Sequence, residues 1–209
     1  MKHKFVSIAL LAGGLISTQS ASSGAAVERM QYRGEIAQLA LFQQTEITCE
    51  DGASGLLDTS VAIELFSDGV RSSLGNTETR ALMLFFSEFS SCTGASRDFL
   101  ALEEPAEYTQ NRVQSASFAD SFELTDVFTG EPMGTLILDV QLTGIGKADH
   151  INTHSTSTSG DFEFRSHVSG VAREATASGT VNLDGRELID SGQFAALSDI
   201  HSGDTTVTH

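Results

Sequence analysis

The stretch LILDVQL at residues 136–142 has an apolar residue at every second position and polar residues at two of the three positions between. A β-strand points successive side chains to opposite faces, so a period of two is typical of a strand with one buried face. These seven residues therefore predict a strand that packs one side against a core and exposes the other.

The same period recurs along most of the chain, in runs separated by turn residues. Further clear runs lie at 61–65, 122–128, 162–168 and 175–183. Asp184-Gly185 stands between two extended runs and predicts a hairpin, because this pair tolerates the positive φ of a tight turn. The whole pattern predicts an all-β fold, an antiparallel β-sandwich of about eight to ten strands, with a closed β-barrel as the alternative.

Three segments leave room for other structure. Residues 33–43 fit a helical period weakly and a strand period at least as well, and residues 99–108 have the composition of a short helix or an excursion loop that Glu103-Glu104-Pro105 ends. Residues 81–89, ALMLFFSEF, are apolar at both parities. This last run predicts a central strand that is covered on both faces.

Residues 1–26 have the three parts of a secretory signal peptide of bacterial type. MKHK is positively charged, the run from Phe5 to Ile16 is apolar, and small residues follow up to Ala26. The apolar run is about 12 residues long, whereas a membrane-spanning helix needs about 20. We therefore expect cleavage between Ser20 and Ala26, no membrane span in the mature chain, and a secreted or periplasmic location.

The rest of the chain, residues 27–209, has the length of a single β domain. Its composition is strongly acidic, because Lys2 and Lys4 leave with the signal peptide and ten of the 12 basic residues remain against 28 acidic ones. Such a net charge repels phosphate backbones and anionic lipid surfaces. The sequence therefore predicts no nucleic-acid partner and assigns no other partner.

Cys49 and Cys92 are the two cysteines of the chain. In an oxidising compartment an even pair predicts a disulfide. Each cysteine ends an extended run and precedes a turn. Because strands two places apart in a flat sheet are about 9.6 Å apart, and a disulfide spans at most about 6.8 Å between Cα atoms, we expect the first and third strands to be neighbours or to meet where two sheets converge.

Histidines and carboxylates supply the weak candidates for a site. His150 and His154 lie in a Ser/Thr-rich stretch that predicts a solvated loop, followed by Asp161 and by His167 on the next strand. Imidazole and carboxylate groups ligate metals, but a site needs three or four of them. These four residues are the candidate metal ligands, and no cofactor is predicted.

Catalytic signatures are absent from the sequence. There is no Gly-x-Ser-x-Gly, no His-Glu-x-x-His and no calcium-loop motif. The carboxylate pairs Glu103-Glu104 and Asp161 with Glu163 fit exposed, solvating residues better than glycosidase pairs, and no catalytic residue is predicted. The sequence favours a non-enzymatic binding or structural β domain. The alternatives are an exported hydrolase of carbohydrate or ester bonds and a divalent-cation binder.

Overall fold

The computed structural model describes residues 26–72, 75–189 and 192–208, so that the predicted signal peptide up to residue 25 lies outside the described residues. The described residues form strands and turns. The strands are β1 (Ala26–Thr48), β2 (Ser54–Ser72), β3 (Gly75–Ser90), β4 (Ser96–Glu103), β5 (Glu107–Asn111), β6 (Ser115–Thr125), β7 (Pro132–Gly144), β8 (Asp149–Ser159), β9 (Phe162–Leu183), β10 (Arg186–Glu187) and β11 (Gly192–Thr208).

All these strands belong to one antiparallel sheet. Its order is β4-β3-β2-β1-β11-β9-β7-β6-β5, and β8 and β10 pair with β9 beside this path. The prediction of an all-β antiparallel fold is confirmed, with eleven strands of which β10 has two residues. In the described part of the chain the path has two ends, β4 and β5, so the closed barrel is wrong.

The sheet folds over on itself like a sandwich, with the apolar side chains of both halves on its inner face. In the part of the sheet that forms the core, every second residue of a strand points inward and is buried, as the period of two predicts. At the rim, the rings of Phe99 in β4 and Phe122 in β6 meet edge-on with their centroids 6.5 Å apart. The largest fully buried side chains are Leu39, Leu41, Leu65, Leu82, Leu84, Phe86, Leu124, Leu136, Leu138, Leu142, Leu188 and Leu197.

Strands β7 and β8 run in line along one edge of the long strand β9. Gly144 pairs with Ala175, and Asp149 resumes the pairing at Ala172, so that residues 145–148 stand opposite only two residues of β9. Arg173 secures this kink by donating from Nε to the Ile145 carbonyl at 3.2 Å and from Nη2 to the Gly146 carbonyl at 2.9 Å. The kink separates the part of β9 that covers the core from the part beyond it.

The turn between β6 and β7 is hydrogen-bonded to β4, the strand at the opposite end of the sheet. Asp126 accepts hydrogen bonds from the backbone N–H groups of Asp98 at 2.9 Å, Phe128 at 3.0 Å and Thr129 at 2.6 Å, while Val127 N–H donates to the Asp98 carbonyl at 2.9 Å. The N–H groups of Thr129 and Asp98 lower the pKa of Asp126 to about 2. The ionised carboxylate therefore holds β4 against the turn.

We expect Asp126→Asn to weaken the pH dependence of stability between about pH 4 and pH 2. Because folding lowers the pKa of Asp126 from 3.8 to about 2, its contribution is fully present above its ordinary value and is lost as the pH falls through the lowered one. Urea unfolding at pH 5 and pH 2.5 measures the difference. Asp139→Asn, at an exposed carboxylate of β7, is the control, and an unchanged pH dependence in Asp126→Asn would contradict the assignment.

The disulfide between Cys49 and Cys92 is confirmed, with Cα atoms 5.4 Å apart. The expectation that the first and third strands are neighbours or meet where two sheets converge is wrong, because β1 and β3 belong to one sheet and β2 lies between them. The cysteines lie beyond the strand ends, and the bond crosses over Gly55 at the start of β2. A Cβ atom there would come within 2.3 Å of the Cys92 sulfur, so the crossing requires a residue without a side chain.

Among the other local predictions, the hairpin is confirmed, while the helical segments and the strand covered on both faces are wrong. The hairpin at Asp184-Gly185 is confirmed, with positive φ at both residues. The helical alternatives are wrong, since 33–43 lies within β1 and 99–108 is divided between β4 and β5. Strand β3 is covered on one face only, because Phe86 is buried while Phe85 is 42% exposed. No helix of the length and apolarity that a membrane span requires occurs among the described residues.

Candidate functional site

The inner face of the sheet continues beyond the core, and its chemistry changes where the cover ends. Inward-facing Ala37 and Leu197 are buried in the core, whereas the next inward positions on the same strands are Glu35 and Asp199. Past this point six strands continue, and the described residues place no second layer over them. We call their inward positions the polar inner face, formed by residues 27–35 of β1, 67–71 of β2, 76–80 of β3, 150–158 of β8, 163–171 of β9 and 199–207 of β11.

Strand register brings the polar residues of this face into rows across the sheet. Neighbouring strands are about 4.8 Å apart, and side chains two residues apart along a strand share a face. The successive rows, from β8 to β1, are His150, Val171, Asp199 and Glu35; then Asn152, Ser169, His201 and Arg33; then His154, His167, Gly203 and Gln31; then Thr156, Arg165, Thr205 and Arg29.

A pocket of about 430 Å³ lies where this face meets the core. We call it the Asp199 pocket. Its polar lining comes from β8, β9, β11 and the turn between β5 and β6. These lining residues are Arg112, His150, Asn152, Ser169, Asp199 and His201.

The carboxylate of Asp199 is at the base of the pocket and is only 6% exposed. Its Oδ1 atom is 3.3 Å from His201 Nε2, and its Oδ2 atom is 3.7 Å from Arg112 Nε. Oδ1 is buried and accepts no hydrogen bond of good geometry within the described residues. A buried carboxylate is costly unless polar or positively charged groups compensate it, which accounts for the positions of His201 and Arg112 above it.

Arg112 reaches the pocket from the short turn between β5 and β6. Its φ of 50° is unusual for a residue other than glycine. Two contacts hold this conformation: the Arg112 N–H donates to Glu35 Oε1 at 3.1 Å, and its carbonyl accepts from Gln110 Nε2 at 2.7 Å. Gln110 also donates to the Ser198 carbonyl at 3.1 Å. The backbone of Arg112 is thus held by side chains of β1 and β5.

Tyr108 is buried at the edge of the core, beside this turn. Burial raises the pKa of Tyr108, the charge of Glu35 raises it further, and the charge of Arg80 opposes the shift. The boundary between core and polar inner face is formed by a neutral phenol on one side and charged groups on the other.

The candidate metal ligands of the sequence are distributed over this region. His150 lines the Asp199 pocket, while His154 and His167 stack on each other with ring centroids 4.0 Å apart. His167 Nε2 is 3.0 Å from Asn152 Oδ1, and Asp161 lies in the turn before β9. Among the described residues no three His, Cys, Asp or Glu side chains are grouped to hold a metal ion.

Sequence analysis is wrong about one segment of this region. The Ser/Thr-rich stretch after His150 is the strand β8 rather than a solvated loop. Sequence analysis also missed Asp199, His201 and Arg112. The first two stand two residues apart in an extended segment, which is a detectable signal, whereas Arg112 carries no signal because its approach depends on the fold.

The outer face of the sandwich carries a second exposed surface of different character. Phe194, Ala40, Ala62, Phe85 and Leu100 form one row across β11, β1, β2, β3 and β4. Large contiguous apolar patches often mark sites of contact with other molecules. Its side chains offer contact area rather than directional bonds, so the polar inner face is the better-defined site.

No protein-family model, no curated protein and no solved structure matches the chain.

Proposed function

We propose that the protein is an exported, non-enzymatic binding domain of the periplasm or the extracellular space. Its polar inner face is the recognition surface, and the Asp199 pocket is the specific site on that surface. The N-terminal sequence pattern supports export, and the Cys49–Cys92 disulfide fits an oxidising compartment.

One observation carries the binding proposal: an uncovered pocket places exposed donors over a buried carboxylate. Arg112 is 68% exposed and His201 is 50% exposed, although the Asp199 beneath them is buried. Asp199, His201, Ser169, Asn152 and His150 lie on paired strands, so hydrogen-bonded backbone fixes their spacing. Pre-positioned polar groups in a concave site of this size are typical of small-ligand recognition.

We expect small polar ligands to perturb the backbone amide signals of β8, β9 and β11 around the Asp199 pocket. The measurement is a two-dimensional NMR titration of the isotope-labelled mature protein with sugars, organic acids, amino acids, calcium and zinc. Ser169, Gly170 and His201 report on the pocket, while Phe85 and Leu100 report on the outer face. Perturbations confined to the outer-face reporters, or none with any compound, would contradict the proposed function.

A hydrolase is the second candidate, because a serine, a histidine and an aspartate lie together in the Asp199 pocket. His201 contacts Asp199, and Ser169 is the cross-strand neighbour of His201 in the same pocket. Asp199 contacts Nε2, whereas in a serine hydrolase the acid binds Nδ1 and leaves Nε2 for the serine. Turnover of p-nitrophenyl acetate that Ser169→Ala and His201→Ala both abolish would favour this candidate over simple binding.

A further inference from the structure

We propose that the Asp199 pocket binds its ligand through a carboxylate group, which Arg112 and His201 hold. This inference rests on the proposed binding function and names the chemistry of the ligand. It follows from the distribution of charge on the sheet, from the exposure of the groups in the pocket and from the geometry of Arg112.

Charge is segregated between the polar inner face and the rest of the protein. The whole chain has a net charge of −16, so an average part of the protein's surface repels anions. The inward positions of the uncovered strands nevertheless carry most of the arginines and only a few acids, and Arg112 stands at their base. The basic residues are Arg29, Arg33, Arg71, Arg80, Arg112 and Arg165, and the acidic ones are Glu35, Glu78, Glu163 and Asp199. A locally positive surface on an acidic protein concentrates anionic ligands there.

Within the pocket, the acidic group is hidden and the donors are accessible. Asp199 is 6% exposed, while Arg112 and His201 are at least half exposed. A ligand therefore meets the guanidinium and the imidazole first. The carboxylate beneath keeps both in place, and Arg33, the cross-strand neighbour of His201, adds positive charge at the rim.

The guanidinium of Arg112 suits a carboxylate in particular. Its ion pair with Asp199 uses Nε, and a guanidinium has four further N–H groups on its two Nη atoms. Their planar fork matches the two oxygens of a carboxylate. A polyanion such as nucleic acid is disfavoured, because Glu35, Glu78 and Glu163 interrupt the face at intervals that would oppose a continuous row of phosphates.

The test is calorimetric titration of the mature protein at pH 7 and low salt. Galacturonate and succinate are the carboxylate probes, one a sugar acid and one a free organic acid. Galactose and inorganic phosphate are the matched compounds without a carboxylate. We expect at least one carboxylate probe to bind about tenfold or more tightly than both comparators.

Variants locate the binding and give controls. Arg112→Asn removes the guanidinium while asparagine accepts the positive φ, and we expect it to weaken binding of the carboxylate probe about tenfold or more. His201→Gln should also weaken it. Lys147→Asn removes one exposed charge outside the inner face and should leave the affinity within about twofold, with thermal unfolding checking that each variant is folded.

The outcomes separate this inference from the proposed function. Equal binding of galactose and galacturonate, stronger binding of phosphate, or unchanged affinity in Arg112→Asn would overturn the carboxylate assignment. Failure of both acids while another compound perturbs the pocket amides would overturn it too and leave the binding function standing. Binding by galacturonate alone indicates a sugar acid, and binding by succinate as well indicates the carboxylate itself.

Discussion

Replacing Phe86 with alanine is expected to lower the free energy of unfolding by about 3–5 kcal/mol. Phe86 is fully buried on the inner face of β3, among the largest side chains of the core. The substitution removes the buried apolar area of the ring and leaves a cavity in the core. The surrounding side chains cannot fully collapse into this cavity, because the two halves of the sheet hold them in place. Urea unfolding at neutral pH, followed by circular dichroism, measures the loss.

The neighbouring residue provides the control for this prediction. Phe85 is the same residue type on the same strand, but it points outward and is 42% exposed. Phe85→Ala should therefore cost less than about 1.5 kcal/mol, because much of the ring is already in contact with water. Similar losses at the two positions would mean that both faces of β3 are covered and would contradict the one-sided packing.

Removal of the disulfide is expected to destabilise the protein by about 2–5 kcal/mol. The bond joins residues 43 apart in sequence, so its loss frees a long loop in the unfolded chain. It also releases the two turns that cross over the start of β2. Urea unfolding of Cys49→Ala/Cys92→Ala against the oxidised protein measures the effect, and an unchanged unfolding midpoint would contradict it.

Gly55 allows a sharper test of how the bond crosses the sheet. An added Cβ would lie 2.3 Å from the Cys92 sulfur and 2.8 Å from the Cys49 sulfur. Gly55→Ala should therefore be clearly destabilising in the oxidised protein and much less so once both sulfurs are removed. Additive effects in the double-mutant cycle would mean that the disulfide does not pass over Gly55.

The strands could be predicted where apolar and polar residues alternate. Residues 136–142 show this pattern and form the centre of β7, and Asp184-Gly185 forms the predicted turn. The pattern failed at β8, since residues 149–159 are almost wholly polar and exposed on both faces. Their extended conformation comes from pairing with β9, and hydrogen bonds between backbones leave little trace in side-chain types.

The site could be predicted only in part for a related reason. His150, His154 and His167 were recognisable as chemically capable side chains, and all three lie on the polar inner face. Their relation to Asp199, His201 and Arg112 depends on strand register, because a shift by one residue would turn every side chain to the opposite face. The sequence alone does not show which strands pair or how their residues are aligned, so it does not determine that register.

The order of apolar residues along the chain was sufficient by itself to predict that this protein is built from strands with one buried face, and the even number of cysteines was sufficient to predict that they pair. Each of these properties depends on neighbouring residues or on simple counting. Only the tertiary structure decided that β2 lies beneath the disulfide, that the inner face extends past the core with no cover from the described residues, and that Arg112 reaches Asp199 from 87 residues away (199 − 112). These features result from contacts between distant segments, whose free energy depends on geometry that appears only when the sheet folds over on itself.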